Sequence, residues 1–153
     1  LAAGVTAILA LLHDALIMLS IYALFQIPIN ESFIAAVLTV LGYSMNDTII
    51  IYDRIRENAV QMSRNISFSD IANNSIKQTL SRTINTTVTV LISIGTVYAF
   101  AVYNNINSIK EFSLPLIIGI VVGTYSSIFI ASPLWVVWRE KAVQRIAAAR
   151  SSK

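Results

Sequence analysis

The chain has 153 residues, of which 56% are hydrophobic and 12% charged, and its formal net charge is +3. Ordinary soluble domains are about 45–50% apolar and about 25% charged, so this composition indicates a membrane protein. The chain has no cysteine and one histidine, which excludes disulfides, thiolate metal sites and most multi-histidine sites. We therefore expect no cofactor and no metal, and the positive charge, once placed along the chain, indicates orientation rather than a nucleic-acid partner.

Four apolar stretches are long enough to cross a bilayer, which takes about 20 helical residues. They are approximately residues 2–25, 33–52, 83–103 and 113–138. The first carries His13 and Asp14 in its interior and has no basic leader, so it is a span rather than a signal peptide. The sequence predicts an all-α fold, a single polytopic transmembrane bundle over residues 1–153.

The basic residues indicate which way the bundle is inserted. Of the eleven lysines and arginines, five lie in the segment 53–82, five lie in the tail 139–153, and only Lys110 lies in another connection. Because cytoplasmic segments are enriched in basic residues, both ends of the chain should be cytoplasmic. Trp135 and Trp138 should then anchor the fourth span at the inner interface.

The connections and the fourth span carry further local signals. QIPINES, residues 26–32, is short enough only for a tight turn between antiparallel helices. Ser69 and Asp70 could cap a surface helix that runs into the third span with Ile71, Ile76 and Leu80 on one face. In the fourth span a ridge of small residues predicts close helix packing, and two prolines predict a bend or an end. The ridge is Gly119, Gly123, Ser127 and Ala131, and the prolines are Pro115 and Pro133.

The stretch GYSMNDTIIIYDRIREN, residues 42–58, places Asp47 within the second span. A carboxylate at such a depth costs up to about 2.5–3.5 kcal/mol, so it should face the bundle and have a partner. The alternative is that it reaches toward the headgroups beside Asp53 and Arg54, but an aspartate side chain is short. A polar stripe at helical spacing accompanies it: Thr39, Tyr43, Asn46, Asp47 and Ile50.

The third span has a second polar stripe. It consists of Arg82, Asn85, Thr86, Thr89, Ser93 and Thr96. Arg82 alone could be an anchoring charge, but at the head of this stripe it is our candidate partner for Asp47. Protonation of Asp47 would then be coupled to the distance between two helices. His13 and Asp14 are a second ionisable pair within a span, either a satisfied contact between helices or a supporting element of the proton path.

No glycine-rich phosphate loop with a lysine is present, and no serine nucleophile with a usable histidine base is apparent. We therefore do not expect an enzyme.

The run GYSMNDTIIIYDRIREN closely resembles the signature of the SecF family, the smaller membrane subunits of bacterial SecDF complexes in the resistance-nodulation-division superfamily. The stretches LAAGVTAILALLHD, LSRTINTTVT and EFSLPLIIGIVVGTYSSIFIASPL also resemble that family. The resemblance implies a subunit of the bacterial cytoplasmic membrane that works with SecD, or with the SecD half of a fused chain. It would use the proton gradient to help preproteins cross after the Sec channel has started them.

In that family the Asp of the Asn-Asp pair and the Arg of the Ser-Arg-Thr segment are taken as proton-pathway residues, which fall here on Asp47 and Arg82. Asn46, Asn85 and Thr86 are possible supporting polar residues, together with His13 and Asp14. The chain begins at what corresponds to the third of six spans, so we expect a C-terminal portion. The alternatives are a proton-driven efflux transporter and a purely structural scaffold, and the coupling ion could be Na⁺ instead of H⁺.

Overall fold

The computed structural model describes residues 2–61 and 67–151, with side chains up to residue 142. Helix α1 spans Ala2–Leu24, α2 Glu31–Gln61, α3 Phe68–Tyr103 and α4 Asn107–Ser126, after which a π-helical turn, Ser127–Ala131, leads into α5, Ser132–Ser151. No strand occurs among the described residues. The all-α prediction is confirmed, and the four helices Ala2–Leu24, Glu31–Gln61, Phe68–Tyr103 and Asn107–Ala142 are long and apolar enough to cross a membrane.

The helices are longer than the apolar stretches that reveal them. Helix α2 continues past the predicted end at Tyr52 as far as Gln61, and α3 begins at Phe68 rather than Thr83. The segment 53–82 is therefore mostly helix, and the connection between α2 and α3 lies outside the described residues. We call this end of the bundle, which carries Arg54, Arg56, Lys77 and Arg82, the basic end.

The predicted surface helix exists as the first part of α3, but its cap lies earlier than expected. The hydroxyl oxygen of Ser67 accepts a bond from the Asp70 amide at 3.1 Å, and the same hydroxyl donates to the Asp70 carboxylate at 2.7 Å. Ser67 is thus the N-cap, not Ser69. A serine three residues before an acidic side chain satisfies the free amides of a first turn, and here that spacing runs from Ser67 to Asp70.

At the opposite end, α1 and α2 are joined by a tight turn, as predicted. The Asn30 side chain caps α2 by accepting a bond from the Phe33 amide at 3.0 Å. Its amide group also donates to Glu111 on α4 at 2.6 Å. This one side chain therefore fixes the start of α2 against α4.

Glycines let α4 pack closely on α1 and α2. A Cβ atom on Gly119 would lie 2.8 Å from Val40 Cγ1 and 2.9 Å from Met18 Sδ. One on Gly123 would lie 2.9 Å from the Ser44 Cβ. The predicted ridge of small residues is therefore a close-packing surface, since a larger side chain at either glycine would need its neighbours to move.

Trp135 corrects a prediction. Its side chain is 5% exposed and packs among helices, with its ring centroid 4.5 Å from that of Tyr52 and 5.8 Å from that of Phe68. Only Trp138, 46% exposed, has the exposed position expected of an interfacial anchor. Phe68, the first residue of α3, lies at the basic end of the bundle, where its ring packs edge-on against Trp135.

The two prolines differ in effect. Pro115 lies inside α4 without ending it, whereas Pro133 follows the π-helical turn. Proline has no amide hydrogen to donate to the preceding turn. The Ser132 hydroxyl, one residue before Pro133, donates to the Ser127 carbonyl at 2.9 Å.

Candidate functional site

Asp47 is buried within the bundle, with 2% of its surface exposed. None of the hydrogen bonds or ion pairs among the described residues includes its side chain, and its Oδ2 atom is buried without a partner. The prediction that this carboxyl group faces the bundle is therefore confirmed, whereas the expected partner is missing. A buried carboxyl group without a fixed countercharge is unusual, because burial of an unpaired charge is costly.

The surroundings of Asp47 are set by two polar rows on α2. On one side, hydroxyls bond to α1 and to the π-helical turn: Ser44 Oγ donates to Asp14 Oδ2 at 2.7 Å, and Thr48 Oγ1 lies 2.9 Å from Ser127 Oγ. On the other side, bonds run to α3: Arg54 Nε donates to Gln78 at 2.7 Å and Asn58 to Ser75 at 2.8 Å. Helix α2 packs against both α3 and α4, and Asp47 lies on it between Ser44 and Arg54 in sequence.

Arg82 does not meet Asp47 in this conformation. The ion pairs among the described residues are Arg54–Glu57 at 2.6 Å, Arg56–Asp53 at 3.8 Å and His13–Asp14 at 3.3 Å. Arg82 is exposed at the basic end, because the next residue, Thr83, is the one that α3 turns toward the interior. Successive helical residues are rotated by about 100°, and on α3 this rotation leaves Arg82 on the exposed side.

Arg82 forms one wall of a cavity of about 410 Å³, here called the polar cleft. Its lining residues are Ile50, Asp53, Arg54, Glu57, Gln78, Thr79 and Arg82. The cleft contains two arginines and two carboxylates, so its formal charges balance. Ile50 and Thr79 place its inner limit within about one helical turn of Asp47 on α2 and of Thr83 on α3.

The predicted stripe on α3 faces outward, contrary to expectation. Asn85, Thr86, Thr89, Ser93 and Thr96 are all exposed. The hydroxyls in this set donate to carbonyls four residues earlier on α3 itself, as Thr89 does to Asn85 at 2.8 Å. Asn46 on α2 is exposed as well. These supporting residues therefore lie on the outside of the described bundle and do not surround Asp47.

The inward polar face of α3 consists of different residues, which the sequence interpretation missed. Ser75, Thr79, Thr83 and Thr87 recur every four residues and are all buried. Thr87 Oγ1 lies 3.0 Å from Thr124 Oγ1 on α4. A period of four, as opposed to the mixed steps of the exposed stripe, is the sequence signal that could have identified this face.

Two further polar atoms are, like Asp47 Oδ2, buried without a hydrogen-bond partner among the described residues. Tyr43 Oη and Thr83 Oγ1 are buried and have no hydrogen-bond partner among the described residues. Tyr43 lies one turn from Asp47 on α2. The contacts Asn58–Ser75 and Arg54–Gln78 fix the antiparallel register of α2 and α3, which places Thr83 within about one turn of the level of Asp47. The three groups define the candidate site.

Such a site can hold and release a small cation without covalent chemistry. Tyrosine and threonine hydroxyls both donate and accept hydrogen bonds, and a carboxyl group can do either according to its protonation. Buried polar groups normally have partners, so this set suits a bound water or a transferred proton. Among the described residues, no group of three or more His, Cys, Asp or Glu side chains could hold a metal ion.

The chain is similar to several known proteins. A family model described as "Protein export membrane protein SecD/SecF, C-terminal" matches residues 1–141. The protein translocase subunit SecF of Borreliella burgdorferi is 46% identical over 131 residues, which cover 86% of this chain and 42% of that protein. The subunit SecF of Alicyclobacillus acidocaldarius is 44% identical over 145 residues, which cover 93% of this chain and 46% of that protein.

Two proteins named SecDF also match most of the chain. The protein translocase subunit SecDF of Bacillus subtilis is 37% identical over 148 residues, covering 95% of this chain and 19% of that protein. The crystal structure of SecDF from Thermus thermophilus, described as a translocon-associated membrane protein, superposes with a TM-score of 0.82 at 40% identity, covering 91% of this chain and 19% of that one. The chain thus spans less than half the length of these SecF relatives.

Proposed function

The chain belongs to the SecD/SecF C-terminal family of protein-export membrane proteins, and we propose that it uses the proton gradient to assist the movement of preproteins across the membrane. The observation that carries the proposal is Asp47, a buried carboxyl group without a hydrogen-bond partner among the described residues, about one helical turn from Ile50 at the inner limit of the polar cleft. An intramembrane ionisable residue of this kind is typical of proton relays in pumps and transporters. The protein is then a transport component and not an enzyme.

The mechanism that we propose has two states of the pair Asp47 and Arg82. In the conformation described above they are apart, which suits a protonated, neutral Asp47. Loss of the proton leaves a charge that attracts Arg82 and draws α2 and α3 into a new relative position. One proton crossing the membrane potential supplies about 2.3 kcal/mol per 100 mV, against the roughly 5.5 kcal/mol of a complete swing between two states. The potential therefore biases the transition but does not complete it alone.

The exposed stripe on α3 supports a partner within the membrane. Arg82 and Asn85 present a charge and an amide on the outer surface of a spanning helix. Hydrocarbon offers such groups no hydrogen bonds, so polar residues in spans normally face protein or a hydrated cavity. We assign the covering helices to SecD, or to the SecD part of a fused chain. The Sec channel and the preprotein are the further partners, and membrane lipid covers the apolar outer faces.

The proposed location is the bacterial cytoplasmic membrane, with the basic end and both ends of this chain on the cytoplasmic side. The concentration of lysine and arginine at the basic end supports this orientation through the positive-inside rule. The polar cleft would then open to the cytoplasm, on the side where a proton that has crossed the membrane is released.

The test uses the full-length protein with its SecD partner in vesicles that import a preprotein. Asp47→Asn should insert normally but lose the stimulation of export by an imposed proton gradient, because an amide cannot release a proton. Glu31→Gln is the control, since Glu31 is exposed at the far end of the same helix and does not line the polar cleft. Unchanged stimulation in Asp47→Asn would refute the proposal, and stimulation by a sodium gradient in place of a proton gradient would identify Na⁺ as the coupling ion.

A further inference from the structure

Asp14 is a second carboxyl group enclosed by the bundle, and it lies at a junction of three helices. Its side chain is fully buried in the middle of α1. On α2, Ser44 Oγ donates to Asp14 Oδ2 at 2.7 Å. On α1 itself, the other carboxyl oxygen, Oδ1, lies 3.3 Å from His13 Nδ1.

The backbone of α4 closes the third side of this junction. A Cβ atom on Gly123 would lie 3.2 Å from Ser44 Oγ and 3.7 Å from Asp14 Oδ2, so the absence of a side chain brings α4 directly against the pair. The Ser127 hydroxyl then contacts the Gly123 carbonyl at 2.9 Å and the Ser44 carbonyl at 3.2 Å. Asp14 thus lies beside Gly123 on α4, four residues before the π-helical turn begins at Ser127.

The charges around Asp14 are few. On its own helix the neighbouring group that titrates is His13, whose side chain is 35% exposed. The groups that the structure places against the carboxyl from α2 and α4 are Ser44 and the backbone at Gly123, which are uncharged. A carboxylate can accept about four hydrogen bonds, and here it has one buried hydroxyl donor and one imidazole.

Ser44 suits both protonation states of this carboxyl group. A hydroxyl donates to a carboxylate and accepts from a carboxylic acid, so the contact persists while the position of its hydrogen reverses. When Asp14 takes up a proton, its new O–H donates to Ser44 Oγ, and the serine hydrogen turns to the carbonyl one turn back on α2, as helical serines commonly do. His13 bridges the outer face of α1 and the buried carboxyl, and imidazole transfers protons readily near neutral pH.

We propose that His13, Asp14 and Ser44 form a second proton-binding site. His13 passes protons to Asp14 from the outer face of α1. The protonation state of Asp14 then changes how α1 and α2 pack against α4 near the π-helical turn. The inference rests on the proposed function, since it assumes a bundle driven by protons. The inference adds a site on the side of α2 that carries Ser44 and contacts α1, whereas the proposed Asp47–Arg82 pair acts between α2 and α3.

The test uses the full-length protein and its partner in the same export vesicles, with the proton-driven rate measured as a function of pH. Asp14→Asn should lower that rate about tenfold or more, and His13→Asn several-fold. Ser44→Ala should shift the midpoint of the pH profile. Ser126→Ala is the matched control, because Ser126 is equally buried but its hydroxyl bonds only to Gly123 on its own helix.

A second readout separates proton binding from simple packing. The infrared carboxylic-acid band that changes with pH should lose one component in Asp14→Asn, move in Ser44→Ala and stay unchanged in Ser126→Ala. Wild-type rates and profile in Asp14→Asn would overturn the proposal. The proposal would also be overturned if Ser44→Ala lowered the amount of folded protein but left the pH profile and the infrared band unaltered. The contact would then stabilise the fold without binding a proton.

The outcomes also separate this inference from the proposed function. If Asp47→Asn abolishes proton-driven export while Asp14→Asn does not, only the second site fails. If Asp47→Asn has no effect, the proposed function itself fails. Should Asp14→Asn not accumulate in the membrane, His13→Asn and Ser44→Ala decide by the same criteria.

Discussion

The hydroxyl of Thr87 on α3 lies 3.0 Å from that of Thr124 on α4. One turn away on the same helix, Thr83 is also buried, but its hydroxyl has no hydrogen-bond partner among the described residues. The two threonines therefore differ in whether their hydroxyls have a hydrogen-bond partner. One joins helices, and the other lies at the level of Asp47.

Thr83→Val should reduce proton-driven export about tenfold while leaving the protein stably inserted. Valine has nearly the same shape as threonine but no hydroxyl, and removal of an unpaired buried polar atom removes a desolvation penalty. The measurement is the gradient-stimulated export rate in vesicles. Thr83→Ser should restore most of that rate, and equal rates for valine and threonine would show that the hydroxyl is not used.

Thr87→Val should have the opposite pattern, with little change in export and a lower stability by about 0.6 kcal/mol, the average for hydrogen bonds between membrane helices. Reversible unfolding in mixed detergent micelles measures the difference. A loss of export as large as that of Thr83→Val would mean that the whole buried row, and not Thr83 alone, serves transport.

Gly119→Ala should destabilise the bundle by about 1–3 kcal/mol, the usual cost of overpacking. The new methyl group would meet Val40 and Met18 at less than a normal contact distance. Gly95→Ala is the control, because nothing lies within 4 Å of its Cβ position. There alanine should be neutral or gain up to about 1 kcal/mol through helix propensity. Val40→Ala combined with Gly119→Ala should recover part of the loss.

Tyr52→Phe should lower stability by about 1 kcal/mol, the net value of a typical hydrogen bond. The Tyr52 hydroxyl lies 2.8 Å from Thr6 Oγ1 and donates to the Ala131 carbonyl at 2.9 Å, so its loss loosens α1 and α2 from the π-helical turn. Detergent unfolding tests the change. Tyr125→Phe, at a ring that is 56% exposed, should show no such effect.

Ser67→Ala should weaken the start of α3 by about 1 kcal/mol, as expected for the loss of an N-cap. Hydrogen exchange at the amides of residues 68–71 should accelerate several-fold in the intact protein. Ser69→Ala should leave exchange there nearly unchanged, because Ser69 makes no side-chain hydrogen bond among the described residues. Faster exchange in Ser69→Ala and unchanged exchange in Ser67→Ala would show that Ser69 is the N-cap, as the sequence interpretation predicted.

The sequence was sufficient for the features that depend on local composition. The number of spans follows from hydropathy, and the burial of Asp47 follows from the cost of a carboxylate in hydrocarbon. The resemblance to the SecF family is confirmed by the family match over residues 1–141. The proton-path roles of Asp47 and Arg82, and the orientation of the bundle, stay predictions.

Features that depend on helix rotation could not be obtained in the same way. Helix α3 carries polar residues on two faces, one with Thr83 and one with Arg82 and Asn85, and packing against α2 and α4 decides which face is inside. Trp135 posed the same difficulty, since a tryptophan near the end of a span can face lipid or a neighbouring aromatic ring. The partner of Asp14 was likewise hidden, because Ser44 lies 30 residues away in sequence.

The position of Trp135 makes it an intrinsic fluorescence probe of the bundle. The chain contains two tryptophans, of which Trp138 is exposed and Trp135 is buried against Tyr52 of α2 and Phe68 of α3, with the Arg56 guanidinium 5.9 Å from its ring. A Trp138→Phe variant therefore retains one tryptophan from this chain, at the joint of three helices. Any movement of α2 against α3 would change the polarity and quenching around that indole, so its fluorescence would follow the transport cycle without an attached dye.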